Sequence, residues 1–172
     1  MCKLLSAKAI RLLQGIFALK KLNKILLPLN DEYDVKDDPF HCFAIIDYYP
    51  LVYEDSIALM LELAVTARRE IEKYGSVQTR VKYPNIGKYC DRNEDISFEK
   101  SLSKIIHAKT IRLQTKSDDG QVSYGYDGNR NSAFTGFALI SGDEQDGTLY
   151  KATIDIIRMC VDIVMMDALS SY

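Results

Sequence analysis

The chain has 172 residues, 47% of them apolar and 27% charged, with 22 Lys plus Arg against 24 Asp plus Glu for a formal net charge of -2. These values bound one globular domain with a real core: nine Gly and four Pro are too few for a fibrous or linker protein, and no uncharged apolar run reaches the ~18 residues of a bilayer span. The small net charge joins two unlike parts, because residues 1–30 hold six basic residues and no acid, which leaves -8 for residues 31–172.

From Leu4 to Leu27 the apolar residues Leu5, Leu12, Ile16, Leu19 and Leu22, with Ile10, Leu13 and Phe17, recur at steps of three and four while lysines fill the gaps. This periodicity predicts a basic amphipathic helix within residues 1–30, ended by Pro28 and Asn30. The segment is basic and apolar like a signal peptide, but Lys8 and Arg11 interrupt the apolar region and no small-residue cleavage site follows, so no leader is expected. Residues 31–39, with five acids, read as a solvated connector.

Residues 40–172 then form the main body. Phe40 to Tyr49 can begin a helix that Pro50 kinks or interrupts, and Leu51 to Tyr74 reads as one long helix closed by Gly75. Val77 to Asp95 is punctuated by Pro84-Asn85 and Gly87, which predicts a loop with at most a short helix around Ile86–Cys90. Ser97 or Asp95 can cap a helix running to about His107. Beyond it, Thr110 to Thr115 alternates with period two, Asp119-Gly120 is a turn, Gln121 to Tyr126 can return as a strand, and Phe134 to Ile140 makes a third strand. Thr148 to Leu169 reads as a closing helix, buried over most of its circumference, with Asp155, Arg158 and Asp162 as a polar stripe. The expected fold class is mainly α: a helical bundle with a small antiparallel β-meander, residues 110–141, inserted before the C-terminal helix.

Four widely spaced cysteines fit neither a paired-cysteine zinc site nor a disulfide framework, and read as reduced thiols of a cytoplasmic protein. Asp143, Glu144 and Asp146 lack the spacing of a calcium loop, and Gly125-Tyr126-Asp127-Gly128 is a hairpin turn without the lysine and helix start of a phosphate loop. No metal or other cofactor is expected. Of the two histidines, His41 has no helical face to place it. His107 can be projected at about 100° per residue. With Phe98 at 0°, the residues Leu102, Ile105 and Ile106 put the buried direction near about 30°, while Ser103, His107, Lys100 and Lys104 fall between about 140° and about 240°. An imidazole one turn beyond a hydroxyl and beside two ammonium groups can hold a phosphate and exchange a proton with it. The candidate catalytic set is therefore His107, Ser103 and Lys104, with Lys100 and Lys104 as phosphate-binding cations.

The string Leu102-Ser103-Lys104-Ile105-Ile106-His107-Ala108 near a helix end resembles the signature region of HEPN-type helical proteins, whose active members carry an Arg, often a polar residue after it, and a His four to six residues on. The similarity takes in most of residues 40–170. It implies a helical domain that pairs with a second copy or a helical partner, so that two histidines face one RNA-cutting groove and work without metal. It also implies RNA or nucleotide handling in toxin or antiviral systems. Leu102 stands where the family's Arg would be, and a lysine nearby supplies a point charge without the bidentate guanidinium. Two expectations follow: a metal-independent ribonuclease working through His107, or a non-catalytic interaction or accessory subunit using the same helical surface. The basic first helix is expected to lie on the acidic remainder of the chain or on a partner rather than on a membrane.

Overall fold

The computed structural model describes residues 3–26, 49–74, 85–117, 119–125 and 132–169. Within these residues lie four helices, α1 (Lys3–Leu26), α2 (Tyr49–Tyr74), α3 (Phe98–Ile106) and α4 (Ile156–Leu169), and six strands: β1 (Gly87–Tyr89), β2 (Asp95–Ile96), β3 (Thr110–Ser117), β4 (Val122–Tyr124), β5 (Ser132–Asp143) and β6 (Leu149–Asp155). The strands make one sheet in the order β2-β1-β6-β5-β3-β4, every pair antiparallel. This corrects the mainly helical expectation: the described residues form a mixed α/β fold built on one six-stranded antiparallel sheet.

The correction has two local causes. Residues 149–155, assigned above to a helix, alternate in burial, with Tyr150, Ala152 and Ile154 inward and Leu149 and Lys151 outward. Period two is the strand pattern, and Asp155 stops it by accepting the Arg158 N–H at 2.8 Å, which opens α4 at Ile156. Gly87-Lys88-Tyr89, assigned to a loop, is a strand too, held between β2 and β6. The meander is also rearranged. β3 lies between β4 and β5, so the third strand returns past the second instead of pairing with it.

One face of the sheet is buried. Its register places Leu113 beside Ala138 and Ile154, and Ile140 beside Ala152, so these side chains share a face while Lys151 and Arg112 lie on the other. The helices supply the complementary surface: Leu5, Ala9, Leu12 and Ile16 from α1, Met60, Leu63, Ala64 and Ala67 from α2, and Ile156, Met159, Cys160 and Ile163 from α4 join one core cluster. Among the residues expected to be apolar on α1, Ile10 and Phe17 are instead about half exposed (48% and 49%). The basic side chains Lys8 and Arg11 pair with Glu62 and Asp55 of α2, so part of the +6 charge of the first segment is matched within the chain. Pro50 occupies the first turn of α2, where the missing N–H costs nothing. Cys90 is exposed and Cys160 buried, both as free thiols. No helix among the described residues is long and apolar enough to cross a membrane. The acidic connector 31–39, His41, Cys2, Cys42 and the turn at 127–131 lie outside the described residues.

β5 is irregular in its middle. Leu113 pairs with Ala138 and Thr115 with Phe134, so Thr135, Gly136 and Phe137 bulge opposite the single residue Gln114. Thr135 Oγ1 fastens the bulge by donating to the Gln114 side-chain oxygen at 2.8 Å, and Gly136 takes a φ of +96°. The bulge lies against α4, where Ile157 packs over Gly136.

Candidate functional site

Helix α3 is nine residues long and strongly two-faced. Ser97 caps it, accepting the Lys100 N–H at 3.4 Å, and Phe98, Ser101, Leu102 and Ile105 are buried. His107 closes it, its N–H donating to the Ser103 carbonyl at 3.1 Å. The opposite face carries Lys100, Ser103, Lys104 and His107, and all four line one open cleft of about 840 Å³. The four residues selected from the helical projection are thus brought together.

The rest of the cleft comes from two turns. The β1–β2 turn passes through Asn93 at φ 53°, a left-handed conformation that asparagine tolerates, and presents Arg92. The β5–β6 turn supplies Asp143, Glu144, Gln145, Asp146 and Thr148. It is closed by Glu144 N–H donating to the Thr148 carbonyl at 2.7 Å and by Asp146 Oδ1 accepting the Thr148 hydroxyl at 2.7 Å. Because β1 is hydrogen-bonded to β6, Tyr89 and Tyr150 stand side by side, ring centroids 6.5 Å apart and edge to face. Both are essentially buried.

Glu144 is the centre of this arrangement. It accepts from Lys104 Nζ and, at 3.1 Å, from the Tyr89 hydroxyl, and it lies 3.7 Å from an Arg92 guanidinium nitrogen. The Lys104 ammonium beside it holds its carboxyl below the ordinary value of 4.5, with help from the Tyr89 hydrogen bond. Tyr150 donates its hydroxyl to the Lys104 carbonyl at 2.9 Å, and burial, followed by the Glu144 charge, pushes its pKa up to about 12. The Lys104 ammonium lies 4.1 Å from the Tyr150 ring centroid. Lys104 is therefore no free cation: its side chain is 11% exposed and is bound to a carboxylate. Leu102, where the resembled motif would carry an arginine, is wholly buried.

Arg92, Tyr89, Glu144 and Tyr150 reach the site from other elements, beyond what the spacing along α3 reveals. The usable signal was opposite charge, a lysine-rich helix face and an acidic turn some 40 residues later, but only the strand at 149–155 brings the two together. No family model, no curated protein and no solved structure matches the chain, so its site is read from its own chemistry.

A depressed carboxylate pKa contributes stability that is complete above the unfolded-state value and is lost as pH falls through the folded-state value. Urea unfolding at about pH 6 and about pH 3 should therefore show a larger acid-induced loss for the wild type than for Glu144→Gln. An equal loss in both proteins would remove Glu144 from the acid response.

Proposed function

We propose that this chain is a non-catalytic interaction protein that recognises its partner through the cleft between α3 and the β5–β6 turn. The observation that carries this reading is the Lys104–Glu144 pair. A transphosphorylating site needs positive charge free to meet a pentacovalent phosphate, and losing one such contact commonly costs about 10²–10³ in rate. Here the lysine of the expected catalytic set is neutralised, and the residue in the arginine's place faces the core. The cleft also mixes signs, with Arg92, Lys100 and Lys104 set against Asp143, Glu144 and Asp146. A mixed rim suits selective contact with another protein better than general attraction to a polyanion.

A second reading, metal-independent RNA cleavage through His107, is favoured by one observation: the exposed imidazole shares the cleft with Ser103, one turn back on the same helix face. Single-stranded RNA incubated with chelator and either wild type or His107→Ala separates the two. Equal background with both proteins is expected, and cleavage by the wild type that disappears in His107→Ala would establish the enzyme instead.

A further inference from the structure

Three cations converge on one buried ring. The Arg92 guanidinium lies 4.8 Å, the Lys100 ammonium 5.2 Å and the Lys104 ammonium 5.9 Å from the Tyr89 ring centroid. Against them stands one carboxylate, Glu144, which is hydrogen-bonded to Lys104. The other acids of the cleft are occupied: Asp143 pairs with Lys109, and Asp146 accepts the backbone N–H and hydroxyl of Thr148. Lys100 has no carboxylate partner among the described residues, and Arg92 reaches its two only at 3.6 and 3.7 Å. Three positive and three negative side chains line the cleft, but the cations gather at the Tyr89 ring, and Lys100 among them has no carboxylate partner among the described residues.

We infer that this side of the cleft seats an acidic segment of a partner protein, its carboxylates received by Lys100, Arg92 and the Ser103 and His107 side chains. The inference rests on the reading of the chain as an interaction protein and names the chemistry of its partner. Two observations choose a segment over a single phosphate. Lys100, Ser103 and His107 form a stripe about 10 Å long, seven residues at about 1.5 Å each, which spans alternate side chains of an extended peptide about 7 Å apart. A cleft of about 840 Å³ is also far larger than one phosphate group requires. The site already holds a carboxylate of the chain's own, since Glu144 takes Lys104, Tyr89 and Arg92 as a visiting glutamate would take their neighbours. Glu144 thus acts as a resident competitor, and its charge limits how strongly the cleft attracts another acid.

Fluorescence anisotropy with a labelled hexaglutamate peptide tests this on the full chain. Binding at low salt is expected, weakened at least tenfold by Lys100→Glu and by Arg92→Glu, both at exposed positions, and tightened several-fold by Glu144→Gln. A purely structural role for the cluster would not produce that last gain. The inference is overturned if Lys100→Glu leaves binding unchanged, if inorganic phosphate at equal concentration displaces the peptide, or if a labelled RNA hexamer binds more tightly with the same residue dependence. The cleavage assay with His107→Ala reports on the non-catalytic reading alone, so either result can fail without the other.

Discussion

Leu102→Arg, which restores the arginine of the resembled motif, is expected to unfold the protein rather than activate it. Leu102 is wholly buried on α3, among Phe98, Ile105 and the rest of the core. A guanidinium there loses its hydration among apolar core side chains. The helix cannot turn to release it, because the same rotation would bury Lys100 and His107. A loss above about 4 kcal/mol is expected, against a total stability of about 5–15 kcal/mol for a domain. Leu102→Met, nearly equal in volume, should cost less than about 1.5 kcal/mol. Urea denaturation followed by circular dichroism measures both, and a wild-type midpoint for Leu102→Arg would mean that the side chain reaches the cleft.

The second large effect is expected at the β5 bulge. Gly136→Ala places a Cβ 2.5 Å from Ile157 Cδ1 and 3.0 Å from its Cγ1, at a φ of +96° that an L side chain rarely adopts. Ile157 is β-branched, so its first torsion gives little, and the bulge is held by the Thr135–Gln114 hydrogen bond. Strain and collision together should cost about 2–4 kcal/mol and lower the melting temperature on the order of 10 °C. Gly147→Ala separates the two causes. Gly147 also has a positive φ, +82°, but a Cβ there meets nothing within 4 Å, so only backbone strain is added. The collision should ease when Gly136→Ala is combined with Ile157→Val, which removes the nearest atom. Additive losses in the double variant would place the whole cost in the backbone.

The helical half of the molecule was legible in the sequence because helices announce themselves by spacing. The periodic residues Leu5, Leu12 and Ile16 are buried as expected, Ser97 caps α3, and the projection of α3 puts Leu102 inward and His107 outward. What misled was continuity. Leu149 to Asp155 runs without a Gly or Pro into an apolar helix, and seven alternating residues joined to fourteen helical ones resemble one long helix until burial is seen. Strand order was illegible for a related reason, since pairing β6 with β1 joins segments some 65 residues apart and leaves no local trace. The site followed the same division. Residues on one helix face, Lys100, Ser103, Lys104 and His107, were grouped correctly, whereas the carboxylate that neutralises Lys104 arrives from a distant turn. A helical wheel reports which side chains are neighbours on one element and says nothing of what an incoming turn will place among them.

The packing of α1 has a consequence for how the chain is made. Its buried side chains rest on α2, on β5 and on α4, and α4 begins 130 residues after α1 ends. At ordinary translation rates of about 5–20 residues per second, α1 waits on the order of ten seconds before its last partner leaves the ribosome. During that interval Leu5, Leu12 and Ile16 face solvent or a chaperone on a basic, amphipathic helix. The sheet waits as well, since β1 and β2 find no inner neighbour until β6 is synthesised. Folding to the native topology is thus a late, nearly all-at-once event, and the growing chain is most vulnerable to aggregation and proteolysis just before it.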